Sequence, residues 1–214
     1  MPQHVIWDLN GTLLDDARIC VSAINVLLRR RRLPPVSLRR YRDLFGFPVR
    51  SYYEAIGFQI ADAEWPQVAA EYHAVYAALS RQAPLRRGTL RTLRFMKRRG
   101  WVLSILSASE ANLLHRMVAE RGILAYFQRI AGLTDFFAHS KESLGRALMR
   151  DTDIPASRTL LIGDTIHDYE VARHLGCRCL LMAGGHQSAQ RLRRCGVPLV
   201  TGMTAVTRQL TARR

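Results

Sequence analysis

From residue 101 onward the chain repeats one pattern: a short apolar run, a turn, then an amphipathic stretch. The runs fall at 102–106, 129–133, 159–163, 178–182 and 198–200. Each has the length of a strand, and helical patterns separate them. Such alternation predicts a parallel sheet whose strands are joined by right-handed helical crossovers. A further apolar run at 4–8 supplies one more strand. The predicted fold class is α/β, a doubly wound, Rossmann-like parallel sheet.

The stretch after that first strand has a different character. Asp15 or Asp16 can cap a helix running to residue 32, with Ile19, Ile24, Leu27 and Leu28 inward. Leu33-Pro34-Pro35 stops it. Ser37 opens a short helix, and helical patterns resume at 49–57 and 62–80. Residues 1–14 and 85–214 are therefore expected to form the α/β core, with 15–84 inserted as an α-helical cap. Tyr52, Tyr53, Trp65, Tyr72 and Tyr76 recur at helical spacing and read as the core of that cap.

Composition narrows the classes. Hydrophobic residues make up 48% of the 214, enough for a packed core. No apolar stretch approaches the ~20 residues of a membrane span, and the chain runs straight into a strand without a leader pattern. Cys20, Cys177, Cys179 and Cys195 lack zinc-like spacing. A reducing, cytoplasmic location is expected. The net charge of +15 raises nucleic acid as a partner. The arginines, however, are scattered over helix faces and helix ends, and no aromatic residues interleave with them as a stacking platform. Neither nucleic acid nor membrane is the expected partner.

The residues with chemical potential sit at strand ends. The first run ends in Asp8, and Leu9-Asn10-Gly11-Thr12 follows. In open α/β sheets, ligands bind beyond the carboxyl ends of the strands. Ser107 follows the next run. Lys141 starts a helix, and of the 32 lysines and arginines only Lys97 and Lys141 are lysines. A compact ammonium is not interchangeable with a guanidinium at a crowded site. Gly163-Asp164-Thr165-Ile166-His167-Asp168 closes another strand. Carboxylates, a hydroxyl and an ammonium on one edge suit Mg²⁺ bridging a phosphate.

In order and spacing, these segments resemble the four motifs of the haloacid dehalogenase superfamily. The likeness is to its subgroup with a helical cap between the first and second motifs, as in phosphoglycolate phosphatases, and it covers essentially the whole chain. It implies that Asp8 is a nucleophile forming an aspartyl-phosphate. It implies that Asp8, the backbone carbonyl of Asn10, Asp164 and Asp168 hold Mg²⁺. It further implies that Thr12, Ser107 and the Ala108 N–H hold the phosphate, while Lys141 neutralises Asp8 and phosphate together. The implied activity is a Mg²⁺-dependent phosphatase, and the implied partner a small phosphorylated metabolite.

One position departs from that pattern. The family's second aspartate protonates the leaving oxygen and then activates water; here Asn10 stands in its place. An amide cannot exchange a proton at neutral pH, and a missing general acid/base costs ~10²–10⁴ in rate. Two expectations follow. Either the substrates have good leaving groups or another acid serves, with His167 and His186 as candidates; or the protein is a catalytically weak binder of phosphometabolites with a regulatory role. A Schiff-base lysine from the cap, as in phosphonoacetaldehyde hydrolases, is ruled out because 15–84 contains no lysine. Phe45-Gly46-Phe47-Pro48 reads as a specificity loop. His186, and Arg50 or Arg42 beside that loop, are expected to contact substrate.

Overall fold

The computed structural model describes residues 3–133 and 141–211. Six parallel strands form one sheet: β1 (His4–Trp7), β2 (Val102–Glu110), β3 (Arg129–Leu133), β4 (Thr159–Gly163), β5 (Arg178–Met182) and β6 (Leu199–Val200). Their order is β3-β2-β1-β4-β5-β6. Every residue of β1 and β4 is buried, because helices cover both faces of the sheet. This is why these strands read as continuous apolar runs rather than alternating ones. The chain order turns back at β1, which pairs with β2 on one side and β4 on the other. The crevice beyond that switch point is where such sheets bind ligands.

Within residues 15–84, after β1, lie four α-helices: α1 (Ala17–Arg30), α2 (Leu38–Leu44), α3 (Val49–Ala55) and α4 (Trp65–Ser80). Ala17, Cys20, Ile24, Leu27 and Leu28 form the buried face of α1. Leu14 and Leu85 make an isolated antiparallel bridge where the chain leaves and re-enters the core. The helices α5 (Thr89–Arg98), α6 (Ala111–Glu120), α7 (Lys141–Arg150), α8 (Ile166–His174), α9 (Ala189–Arg193) and α10 (Met203–Thr211) flank the sheet. No described helix is long and apolar enough to cross a membrane.

Two local expectations need correction. β2 does not end before Ser107. It continues to Glu110, with an irregular register against β3 between Leu106 and Glu110. Glu110, not a serine, caps α6, and its carboxylate accepts from the Asn112 and Leu113 N–H groups. The small polar residues looked like a turn, but pairing with β3 prolongs the strand. At the start of α1, Asp16 occupies the N-cap position without making a side-chain cap bond. Its carboxylate serves the site described next.

Residues 42–45 are clasped to the loop 184–188 through backbone carbonyls. Arg42 donates from Nε to Gly185 O (2.9 Å) and from Nη2 to Gly184 O (2.6 Å). The Ser188 N–H donates to Arg42 O at 3.0 Å, and Gln187 Nε2 donates to Phe45 O at 2.9 Å.

Candidate active site

Asp8 follows the last residue of β1, and its N–H donates to Ile162 O (2.9 Å), which fixes it between β1 and β4. Lys141, at the first turn of α7, reaches across from the other face of the crevice. Its Nζ donates to Asp8 Oδ1 at 2.7 Å and to Asp168 Oδ1 at 2.6 Å. Burial opposes the lysine's charge, but Asp168 and Asp8 outweigh it and hold the ammonium protonated.

Asp168 belongs to the first turn of α8. Its Oδ2 accepts from the Asp164 N–H, the Thr165 N–H and Thr165 Oγ1. Thr165 returns the bond as N-cap, so the two form a capping box. Asp164 is fully buried; Thr12 Oγ1 donates to its Oδ1 at 2.7 Å and the His186 N–H to its Oδ2 at 2.6 Å. Thr12 thus orients Asp164, and it is not among the residues that line the cavity. Glycines make this crowding possible. Gly11 has φ +71, and a Cβ there would stand 2.3 Å from Asp164 Oδ2. A Cβ on Gly163 would meet Asp168 Cγ at 2.2 Å.

Carboxylate oxygens of Asp8, Asp164 and Asp168 all lie within 4.8 Å of one another. Two of these buried acids, Asp8 and Asp168, share the Lys141 ammonium, and Asp164 lies beside His186. Burial, with Asp168 and Asp164 adding to it against the pull of Lys141, pushes the Asp8 carboxyl up to about 8. Burial likewise raises Asp164. Hard oxygen donors in negative excess are what a divalent cation such as Mg²⁺ neutralises, so the residues present fit a metal.

Asn10 is held in a network of its own. Its Nδ2 donates to Asp16 Oδ2 (2.7 Å) and to the Tyr76 hydroxyl (2.6 Å), and its Oδ1 accepts from Ser109 Oγ (2.8 Å). Ser107 Oγ lies at 3.5 Å from the same oxygen. Asp16 also accepts from the Gly11 N–H (2.7 Å) and from Tyr76 (2.7 Å), and it faces His186 Nε2 at 3.4 Å. Burial would raise Asp16, yet His186, Asn10 and Tyr76 hold it down at about 2. Burial would lower His186, but Asp16 and then Asp164 and Asp8 raise it to about 9. With His186 protonated, Nδ1–H donates to the Tyr41 hydroxyl at 2.9 Å.

Between this edge and the cap lies a cavity of about 170 Å³. Asp8, Asn10, Ser107, Ala108, Lys141, Asp168 and His186 line its floor. His167 does not; it packs on Phe47 at 4.5 Å and faces Glu170. Arg50 and Arg42 are also absent from the lining. Arg50 is bound instead to Asp62 (2.6 Å), Glu54 (3.2 Å) and Ile60 O (2.9 Å). Arg42 is spent on the clasp to the loop 184–188. Tyr52, Tyr53, Trp65, Tyr72 and Tyr76 are not merely cap core: all five line the cavity.

Sequence reasoning missed Asp16, Tyr76, Ser109 and Thr165. The Asp15-Asp16 pair was a usable signal, hidden by reading it as a helix cap.

A model of haloacid dehalogenase-like hydrolases matches residues 5–182. The chain belongs to that enzyme family. It is 28% identical over 192 residues to a phosphoglycolate phosphatase of Caulobacter vibrioides, covering 85% of this chain and 79% of that one. It is also 29% identical over 203 residues to a Mycobacterium tuberculosis protein named tyrosine-protein kinase PtkA, covering 94% and 68%. Among solved structures, a haloacid dehalogenase-like hydrolase from Streptococcus pneumoniae superposes with a TM-score of 0.84 at 19% identity, covering 98% and 99%.

Proposed function

We propose that this hydrolase is a Mg²⁺-dependent phosphatase of small organic phosphates in the cytoplasm, working through an aspartyl-phosphate on Asp8. Residues 1–14 and 85–214 would act as the catalytic core and 15–84 as the substrate-selecting cap. The observation that carries the reading is the buried convergence of Asp8, Lys141 and Asp168, with Asp164 behind them, on the floor of a capped cavity. Asp8, the Asn10 carbonyl, Asp164 and Asp168 would hold the metal, which when bound offsets the charge of nucleophile and phosphate.

The chain's own groups do the rest. Lys141 holds one oxygen of Asp8 and orients the carboxylate. Attack on phosphorus forms the Asp8–phosphorus bond, and the leaving oxygen departs with its electron pair. Ser107 and the Ala108 N–H would bind phosphoryl oxygens, and the cap excludes bulk water. Water then attacks phosphorus and frees Asp8. Asn10 has no proton to give, and both ring nitrogens of His186 are already engaged by Asp16 and Tyr41. Departure of the leaving group is therefore unassisted, and positioning plus charge neutralisation carry the rate.

Phosphate release with Mg²⁺, measured beside Asp8→Asn, tests this. Turnover lost in the variant supports the nucleophile; equal turnover ends the proposal. A second reading draws on the same Asn10: a slow protein that retains phosphometabolites. It is favoured if every ester is inert with the wild type and Asn10→Asp restores release.

A further inference from the structure

The cap side of the cavity is aromatic and uncharged. Tyr41, Phe45, Tyr52, Tyr53, Trp65 and Tyr72 face it. Their rings pack edge to face, Tyr41 against Tyr52 at 5.5 Å and Tyr53 against Trp65 at 5.2 Å. Such an array takes one more ring readily. The cap holds ten arginines, at 18, 29–32, 39, 40, 42, 50 and 81, and none lines the cavity. Burial keeps the Tyr52 and Tyr53 phenols un-ionised and lowers His73 to about 4. A second carboxylate on the substrate would thus be buried with no cation beside it in the cap, which is strongly unfavourable.

Size and polarity narrow the choice. The cavity measures about 170 Å³, and an apolar cavity of ~150 Å³ admits benzene. The space is of the scale that admits one ring. Tyr52, 4% exposed, lines the cavity, and its hydroxyl has no hydrogen-bond partner among the described residues. A buried, unpaired hydroxyl calls for a polar atom on whatever fills the space.

From this lining, and resting on the phosphatase reading above, we infer that the substrate is an aromatic phosphate monoester. Its ring lies among the cap tyrosines and Trp65, and a polar ring substituent meets Tyr52. The missing acid at Asn10 points further, to an oxygen attached directly to the ring. A phenol ionises near ~10, as tyrosine does, far below an alkanol. When the Asp8 oxygen bonds to phosphorus, the phosphorus–oxygen bond to the ring breaks. The phenolate leaves with the electron pair and takes its proton from solvent. Water then cleaves the aspartyl-phosphate to inorganic phosphate and free Asp8.

The test compares esters in pairs, with Mg²⁺ present. Benzyl, hexyl and ethyl phosphates share an alkoxide leaving group and differ only in what fills the cap. Benzyl phosphate is expected to exceed the other two at least tenfold in kcat/KM. Phenyl phosphate is expected to exceed benzyl about a hundredfold, and 2-phosphoglycolate to be the slowest. Hexyl phosphate or 2-phosphoglycolate matching benzyl phosphate overturns the inference. If no ester is turned over, the phosphatase reading fails, and calorimetry on Asp8→Asn decides the ring on its own. Benzyl phosphate bound at least tenfold tighter than hexyl keeps it; equal affinity ends it. Tyr52→Phe is expected to erase any preference for the best hydroxybenzyl phosphate over benzyl phosphate. An unchanged preference removes Tyr52 from the recognition.

Discussion

The floor and the roof of the cavity are built on opposite principles. The floor and the layer directly beneath it concentrate charge: Asp8 and Asp168 on the floor, with Asp16 and Asp164 behind, face Lys141 and His186, all of them buried. The carboxylates of Asp16, Asp164 and Asp168 are each tied down by two or more short bonds, and that of Asp8 by Lys141. The roof contains no full charge and holds its rings by edge-to-face contact. Fixed charges in a dry site are worth most where charge develops in the reaction. Apolar walls instead discriminate by shape and burial, and do so weakly per group. On the proposed function, the floor would set the chemistry and the roof what is admitted to it. Substitutions on the floor should change kcat by orders of magnitude, whereas those on the roof should act mostly through KM.

The largest effect is expected at Asp8. Asp8→Asn is nearly isosteric, yet it removes the proposed nucleophile, and a loss of about 10⁴-fold or more in phosphate release is expected. Circular dichroism should show the fold retained. Lys141→Arg comes next. The ammonium is 3% exposed and makes contacts of 2.6 and 2.7 Å, leaving no room for a planar fork. A loss of about 10²–10³-fold in kcat is expected even though the charge is kept. If Lys141→Arg matched the wild type, the floor would not depend on tight geometry, and the contrast with the roof would weaken.

The third test concerns the amide at position 10. Replacing Asn10 by Asp alone would set two carboxylates 2.7 Å apart, because Asn10 Nδ2 donates to Asp16 Oδ2 at that distance. Like charges so close cannot both ionise. The exchanged pair, Asn10→Asp with Asp16→Asn, keeps one acid and one amide in contact and moves the acid toward the cavity. A gain of about 10²-fold is expected with alkyl phosphates, whose leaving oxygen needs a proton. Little gain is expected with phenyl phosphate. A uniform gain over both ester types would show that Asn10 limits the hydrolysis of the aspartyl-phosphate rather than its formation.

The same contrast explains what the amino-acid sequence revealed. Asp8, Lys141, Asp164 and Asp168 sit at strand ends and helix starts, and linear spacing reports such places directly. The strand–helix alternation made the doubly wound sheet legible for the same reason. Asp16 was not legible as a site residue, because its role depends on Tyr76 arriving from α4, sixty positions away. The tyrosines showed a helix face, but periodicity does not tell whether a face meets another helix or a hollow. Arg50 lies near the Phe45–Pro48 loop in the chain, but that nearness does not place its side chain. In the fold, Asp62 and Glu54 hold its guanidinium away from the cavity. Sequence neighbourhood marks where a chain passes, and only packing decides which way a long side chain turns.

The smallest expected effect is on stability, and it separates the ion pair beneath Asn10 from the nucleophile beside it. His186 is raised from 6.5 to about 9, chiefly because Asp16 outweighs the effect of burial. Its contribution to stability is complete below pH 6.5 and is lost as pH rises through 9. Asp16 is lowered from 3.8 to about 2. Its contribution is present above pH 3.8 and is lost toward pH 2. The pair therefore stabilises most between these limits, and the loss from pH 6.5 to 9 is on the order of 1–3 kcal/mol. Asp8, pushed up to about 8, ionises in the same window and adds a loss of its own. The informative quantity is thus the difference between two slopes. His186→Gln should unfold with a distinctly flatter dependence of midpoint on pH from 6.5 to 9 than the wild type. Parallel slopes would mean that His186 carries no charge in the folded protein, leaving Asp16 to be held by Asn10, Gly11 and Tyr76 alone.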